Sequence, residues 1–286
     1  MGIFCSNCDE CESNLDLIEP IKEEIQIQPY YSKGDSIVKN FKEHNLFKSI
    51  TLVEYMNFLL YINNESINNN FEGPFKMEFS YSDSEKILNE EISYELFEFF
   101  LSKMILSHRV IGEKETIFLD MCLEIYKVLQ IKLREHYDDN NTQITKKDLI
   151  GLGLFFCKGA DSYKIKLIFD LFKNNKNQLV KNKIFDEFLL CNFLIGSYCL
   201  LCTRKNMSRI NPLVSEIFDE KEGQFMNAYD LKNCENLVEY FNYNFFYGMK
   251  LTFYEYKLNF KEFNGFGWIF SPEGIRQKLE ENKYIE

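Results

Sequence analysis

The chain has 286 residues, of which 45% are hydrophobic and 16% aromatic, so it can bury one large core or two moderate ones. Its formal net charge of -11 and its pI of about 5.0 give an average surface that repels phosphates, which argues against DNA or RNA as a partner. Nine cysteines, an odd number set mostly among apolar residues, favour buried free thiols in the cytosol over a disulfide framework.

Residues 1–33, which open with MGIFCSNCDEC, are predicted to form a disordered tether, because they are acidic, contain two prolines and show little periodicity. Gly2 followed by Ser6 fits the pattern for N-myristoylation after removal of the initiator Met. One myristoyl chain binds membranes only marginally, and thioester-linked acyl chains on Cys5, Cys8 or Cys11 would supply a second anchor. The segment is therefore predicted to be an acylated flexible tether.

Two other interpretations of these cysteines remain open. A metal site needs a fourth ligand at ordinary spacing, and the remote pair Cys199 and Cys202 lies inside an apolar segment. The other interpretation is an unmodified flexible tail.

From residue 34 onward the chain is predicted to be mainly α-helical. Glycine and proline are scarce there, and apolar residues recur at helical spacing, most clearly in 117–129 and 165–172. The longest apolar stretch, 188–202, falls short of the roughly 20 residues that span a bilayer. We therefore predict that it is a core helix.

A weak internal repeat organises these helices. YDDNNTQITKKDLIGLGLFF and FKNNKNQLVKNKIFDEFLL each contain a polar loop, an apolar residue and a helix, with Ile144 and Val180 in equivalent places. Fainter copies surround Ile50, Ile92 and Met226. The pattern is that of the EF-hand, in which two loops pair back to back at the apolar position. An unrelated helical bundle is the alternative, and both folds leave a groove between helix pairs.

The segment FFCKGADSYKIKLIFDLFKNN, residues 155–175, resembles the linker and entering helix between the second and third hands of the calcineurin B and neuronal calcium sensor families. The resemblance covers roughly residues 90–232 and implies EF-hand-like lobes at 34–154 and 155–232. Members of these families commonly carry a myristoylated Gly2, which Gly2 of this chain matches.

The loops depart from that family at the calcium ligands. A calcium loop needs oxygen ligands at positions 1, 3 and 5, a glycine at 6 and a glutamate at 12. Loop 137–148 begins with a tyrosine, loop 173–184 places lysine and isoleucine at ligand positions, and loop 219–230 contains an intruding lysine. No cofactor is therefore expected, and calcium remains an alternative. The candidate ligands are Asp139, Asn141, Asp148, Asp219, Asn227 and Asp230.

Residues 233–286 are predicted to form a helical, aromatic-rich extension. We expect the stretch from Asn233 to Phe270 either to pack across the groove or to supply the odd half-hand, since LTFYEY with Glu255 has the form of a loop ending. A last helix is predicted to begin with Ser271 as its N-cap and Pro272 in its first turn.

The sequence contains no phosphate-binding glycine loop, dinucleotide-binding motif or nucleophile elbow, so no enzymatic activity is expected. The prediction is a calcium-independent adaptor at the cytoplasmic face of a plasma or ciliary membrane. It would receive an amphipathic helix of a partner protein in an apolar groove. The predicted groove residues are Phe155, Phe156, Phe169, Phe172, Phe188 and Phe193.

Two alternatives remain for the function. One is a calcium sensor that uses a single atypical loop. The other is a structural protein of a ciliary or cortical assembly, in which the hands are only scaffolding.

Overall fold

The computed structural model describes residues 50–62, 81–107, 113–208, 230–260 and 265–282. These residues are mainly helical, which confirms the predicted mainly α class. Two 3-10 helices, Lys146–Leu149 and Phe266–Phe270, lead into helices, and the described residues form two strands, β1 (Gln178–Leu179) and β2 (Leu251–Thr252). The α-helices of the described residues are α1 (Leu52–Tyr61), α2 (Tyr81–Leu88), α3 (Tyr94–Ser107), α4 (Glu113–Tyr137), α5 (Ile150–Phe156), α6 (Asp161–Phe172), α7 (Lys183–Ser208), α8 (Leu231–Phe246), α9 (Phe253–Leu258) and α10 (Pro272–Asn282).

Four helical segments begin in the same way, with a buried apolar residue followed by serine or threonine. The hydroxyl residue sits just before the first helical turn, where it can satisfy backbone N–H groups that have no intrahelical partner. Three of the four also have a carboxylate three residues later that accepts a hydrogen bond from the threonine amide. The four dipeptides are Ile50–Thr51, Ile92–Ser93, Ile144–Thr145 and Leu251–Thr252.

The apolar residues of these dipeptides make short strand-like contacts. The Ile92 amide donates to the Ile144 carbonyl at 2.8 Å. Strands β1 and β2 pair antiparallel, with Leu179 opposite Leu251. The pairing residue of β1 is therefore Leu179. The repeat predicts Val180, which is the next residue in the chain.

The extension contributes β2 to this pair. Later in the extension, Trp268 stacks on Phe193 of α7 with ring centroids 5.4 Å apart. Trp268 also meets Phe241 of α8 edge to face at 5.9 Å. The extension thus pairs with a loop and covers the core.

Helix α7 is the centre of the packing and contacts α4, α5, α8 and α10. Gly196 allows α10 to approach closely, because a Cβ there would lie 2.6 Å from Cδ1 of Ile275. Residues 188–197 of α7 are all buried, which confirms the predicted core helix. None of the helices in the described ranges is long and apolar enough to cross a membrane.

The cysteines of the described core are buried thiols, as their apolar neighbours predicted. Those identified as free and buried are Cys122, Cys157, Cys191, Cys199 and Cys234.

Phe241 tests the structural role of the extension, because its ring is fully buried against rings of α7, α8 and the segment after residue 265. We expect Phe241→Ala to lower the free energy of unfolding by about 3 to 5 kcal/mol through loss of apolar burial and formation of a cavity. Urea unfolding followed by circular dichroism measures this change.

Tyr243→Ala on the same helix is the control, because Tyr243 is 79% exposed, and we expect a change within about 0.5 kcal/mol. Equal losses for the two variants would contradict the placement of Phe241 in the core.

Candidate functional site

The structure describes only some of the residues that the sequence singled out. Four acylation residues and two candidate calcium ligands lie outside the described residues, so their predicted roles remain predictions. These residues are Gly2, Cys5, Cys8, Cys11, Asp219 and Asn227.

The described candidate ligands do not converge on one point. Asp139 and Asn141 are exposed, and the Asp139 carboxylate accepts a hydrogen bond from the Asn141 amide at 2.8 Å. Asp230 is the N-cap of α8, where its carboxylate accepts from the Asn233 amide. Among the described residues, no group of three or more histidine, cysteine or acidic side chains is placed to hold a metal ion.

Asp148, the last residue of loop 137–148, is buried and already engaged. One carboxylate oxygen accepts from the amide and the hydroxyl of Thr145, both at 2.8 Å. The other accepts from the Cys191 thiol at 3.3 Å. Burial raises the pKa of Asp148. Both carboxylate oxygens of Asp148 therefore already accept hydrogen bonds within the chain.

The six phenylalanines predicted to line a partner groove are core residues instead. Each is at most 5% exposed. The aromatic extension contacts two of them: Phe253 meets Phe169 at 5.0 Å and Trp268 stacks on Phe193. Because all six are buried within the chain, they offer no exposed groove to a partner. The six residues are Phe155, Phe156, Phe169, Phe172, Phe188 and Phe193.

The most unusual site in the described part of the chain is a pair of consecutive buried lysines. Lys146 is 2% exposed and Lys147 is 6% exposed. Lysine is almost never fully buried unless its ammonium has partners, because removing a charge from water is costly. Both lie in the 3-10 turn before α5, where Ile144 on one side and Leu149 on the other anchor the turn in the core.

Lys146 faces a cavity of about 660 Å³. Its ammonium donates to the Leu60 carbonyl at 2.8 Å and to the Glu90 carboxylate at 2.6 Å. Burial lowers the pKa of Lys146, while the bond to Glu90 acts in the opposite direction. The walls of this cavity are formed by Leu60, Tyr61, Ile62, Ile87, Asn89, Glu90, Glu91, Leu96 and Lys146.

Lys147 faces a second cavity, of about 370 Å³. Its ammonium donates to the Thr145 hydroxyl at 3.0 Å and lies 3.2 Å from Glu187 and 3.8 Å from Asp148. Tyr137, which is 39% exposed, completes this wall, and its partial burial together with its hydrogen bond to Glu187 raises the pKa of its phenol. Polar and charged side chains therefore dominate this cavity.

Asn89 lines both cavities, and we call the two together the lysine cleft. The larger cavity has an apolar wall of Leu60, Ile62, Ile87 and Leu96. The charged lining of the cleft consists of five acidic and three basic residues, so the cleft is acidic overall. These residues are Glu85, Glu90, Glu91, Asp148, Glu187, Lys146, Lys147 and Lys183.

The cleft was missed at the level of sequence. The two lysines follow Thr145 in TKKDLIGLGLFF. Two lysines and an aspartate directly after a threonine are typical of the exposed first turn of a helix. A signal was nevertheless present, because the turn lies between the apolar residues Ile144 and Leu149. Their carboxylate partners, Glu90 and Glu187, are distant in sequence, so no local pattern could connect them.

Comparison of the chain with protein-family models, with curated proteins and with solved structures found no match.

The buried Lys146 predicts a pH dependence of stability. Because its pKa is lowered in the folded chain, the unfolded chain holds more protons between that pKa and the ordinary value of 10.5. Stability that depends on Lys146 therefore rises with pH in this window. We expect the difference in melting temperature, wild type minus Lys146→Met, to increase as the pH is raised toward 10.5. Circular dichroism measures both melting temperatures.

Lys166→Met is the control, because Lys166 is 61% exposed and forms a surface ion pair with Asp170. Its difference from the wild type measures the effect of losing one exposed lysine over the same pH range. The same pH dependence for Lys146→Met would show that the Lys146 ammonium is hydrated, contrary to the structure.

Proposed function

We propose that the chain is an EF-hand-like adaptor, held at the cytoplasmic face of a membrane by acylation of Gly2 and the amino-terminal cysteines. In this proposal it binds a partner protein without calcium. The partner presents a basic amphipathic segment to the lysine cleft, not to the six buried phenylalanines.

The form of the loops supports an EF-hand-like origin. Paired EF-hand loops meet through a short antiparallel contact at an apolar residue, and the exiting helix starts directly afterwards. The hydrogen bond from Ile92 to Ile144 and the pairing of Leu179 with Leu251 have this form. The hydroxyl residue that follows Ile92, Ile144 and Leu251 occupies the same place in each loop.

The observation that carries the partner-binding proposal is the combination of an apolar wall and an acidic rim in the larger cavity. Tyr61 and Ile87, which are partly exposed, offer apolar contact, and Glu90 and Glu91 line the same cavity. Leu60 and Leu96 are each 2% exposed and belong to the core behind this wall. A helix with leucines on one face and lysines or arginines at its border matches both features. The net charge of -11 on the whole chain would also attract such a segment from a distance.

A designed amphipathic peptide of leucine and lysine tests this proposal, with a leucine and glutamate peptide as its counterpart. We expect the full chain to bind the basic peptide and not the acidic one, as measured by fluorescence anisotropy of the labelled peptides. Glu91→Lys should weaken binding by about fivefold or more, because it places a like charge at the apolar wall.

Glu98→Lys is the matched control, since Glu98 is exposed on α3, does not line the cleft and produces the same change in net charge. We expect it to weaken binding by less than about twofold. If both variants weaken binding equally, general charge attraction explains the effect and the cleft is not the site.

Calcium independence is supported by the use of carboxylates as helix caps. Glu54, Asp148 and Glu255 each accept hydrogen bonds from the threonine three residues earlier, in both its amide and its hydroxyl. In each of these three loops the final carboxylate thus caps the helix that follows it, which favours a loop that does not use this carboxylate to bind an ion.

We therefore expect no heat of calcium binding to the full chain up to about 1 mM calcium with magnesium present, as measured by calorimetry. Binding in the micromolar range that disappears in Asp139→Ala or Asp219→Ala would instead identify a calcium sensor.

A further inference from the structure

Exposed apolar side chains are concentrated in one short part of the described chain. Residues 240–254 carry six of them, whereas the other large exposed apolar residues of the described ranges are Val53, Ile131 and Tyr137. A cluster of this kind marks a contact surface more often than a scattered residue does. Its members are Tyr240 (36% exposed), Tyr243 (79%), Tyr247 (70%), Met249 (60%), Phe253 (36%) and Tyr254 (65%).

The backbone presents these side chains on a sharp turn. Tyr240 and Tyr243 are three residues apart, which places them on neighbouring positions of one face of α8, and Tyr247 is the C-cap of this helix. The helix ends where Tyr247 and Gly248 both take positive φ, at 46° and 74°, and the chain then reverses into β2. Residues 247–250 are all exposed, and we call 247–257 the aromatic turn.

A rigid base supports the aromatic turn. Phe245 and Tyr256, which lie on either side of the reversal, are buried and pack edge to face at 5.7 Å. Phe253 meets Phe169 of α6 at 5.0 Å. The exposed rings are therefore attached to the core, and holding them in contact with a partner requires little ordering of the backbone.

The charge of the aromatic turn is opposite to that of the chain. It contains Lys250, Lys257 and one acidic residue, Glu255, which gives a local net charge of +1 in a chain of -11. Glu255 is also occupied, because its carboxylate accepts from the amide and the hydroxyl of Thr252, both at 2.8 Å. The aromatic turn is therefore an apolar and mildly basic surface on an acidic protein.

We infer that the aromatic turn rests on a lipid surface. Tyrosine prefers the boundary between headgroups and acyl chains, where its ring is in apolar surroundings and its hydroxyl stays hydrated. Met249 and Phe253 supply apolar contact deeper in that boundary, and Lys250 reaches the phosphates. On an anionic membrane the rest of this acidic chain is repelled, so the aromatic turn is the side that faces the lipid.

This inference rests on the membrane location in the proposed function and adds a contact made by the folded part of the chain to the proposed acyl anchors. Such a contact strengthens attachment most where only the myristoyl chain is present, since a single chain binds reversibly and weakly. The cavities of the lysine cleft contain none of the residues of the aromatic turn, so a bound partner segment and a bound membrane would not compete for side chains.

Vesicle co-sedimentation of the full chain, produced without acylation, tests the inference. The probes are vesicles of phosphatidylcholine alone and of phosphatidylcholine with phosphatidylserine. We expect the wild type to sediment with both, and more strongly with phosphatidylserine. A variant with Tyr247→Ser, Met249→Ser and Tyr254→Ser should partition about tenfold more weakly on both vesicles, because it loses most of the exposed apolar contact.

Two single variants make the test specific. Lys250→Glu should lower partitioning by about fivefold or more on vesicles with phosphatidylserine and little on phosphatidylcholine alone, because it removes a positive charge near the phosphates and adds a negative one. Ile131→Ser removes an exposed apolar residue of α4, 54% exposed, and should leave partitioning unchanged. Urea midpoints confirm that each variant is folded, and Lys250→Glu keeps the test decisive if the triple variant does not fold.

Three results would overturn the inference. The first is that the wild type does not sediment with either vesicle. The second is that Ile131→Ser loses as much partitioning as the triple variant. The third is that the wild type forms an oligomer, which the triple variant breaks, and binds neither vesicle. The last result would assign the aromatic turn to contact between copies of the chain. An experiment with acylated protein separates failure of this inference from failure of the proposed function. If only the inference fails, Gly2→Ala removes membrane binding of the acylated protein while the variants of the aromatic turn leave it unchanged.

Discussion

The burial of two adjacent ammonium groups constrains how the described parts of this protein fit together. Lys146 reaches the end of α1 and the loop after α2 through Leu60 and Glu90, whereas Lys147 reaches α7 through Glu187. Neither charge could remain in the interior without these partners, because desolvation of an unpaired ammonium costs several kcal/mol. The turn before α5 is therefore fixed to the elements that precede it and to the central helix that follows.

Two backbone carbonyls in loops accept hydrogen bonds from buried side chains that are distant in the sequence. The Tyr55 hydroxyl donates to the Leu149 carbonyl at 2.9 Å, and the Tyr126 hydroxyl donates to the Ile92 carbonyl at 2.6 Å. Both phenols are buried, so each fixes a loop carbonyl that would otherwise lose its hydrogen bond to water. These bonds and the carboxylate caps join the loops to the helices and to the core through contacts within the chain.

The two surfaces that carry our proposals differ in charge. The aromatic extension packs on Phe169 and Phe193, so these rings are in the core. The lysine cleft is lined by more acidic than basic residues, whereas the aromatic turn has a local net charge of +1. This difference is the reason why we propose a basic protein segment for the first and a lipid surface for the second.

Residue pattern alone determined the class of the fold and several of its parts. Apolar spacing predicted the long helices that became α4 and α6, the apolar stretch 188–202 predicted the core helix, and Ser271 and Pro272 marked the start of α10. These features are local, since they depend on helical periodicity and on capping groups within a few residues. Only the tertiary structure determined the remaining features. The six phenylalanines are buried, and Leu179 pairs with the second strand in place of Val180. Lys146 and Lys147 are buried beside Glu90 and Glu187. Burial and ion pairing depend on residues far apart in the chain, and no short sequence pattern contains that information.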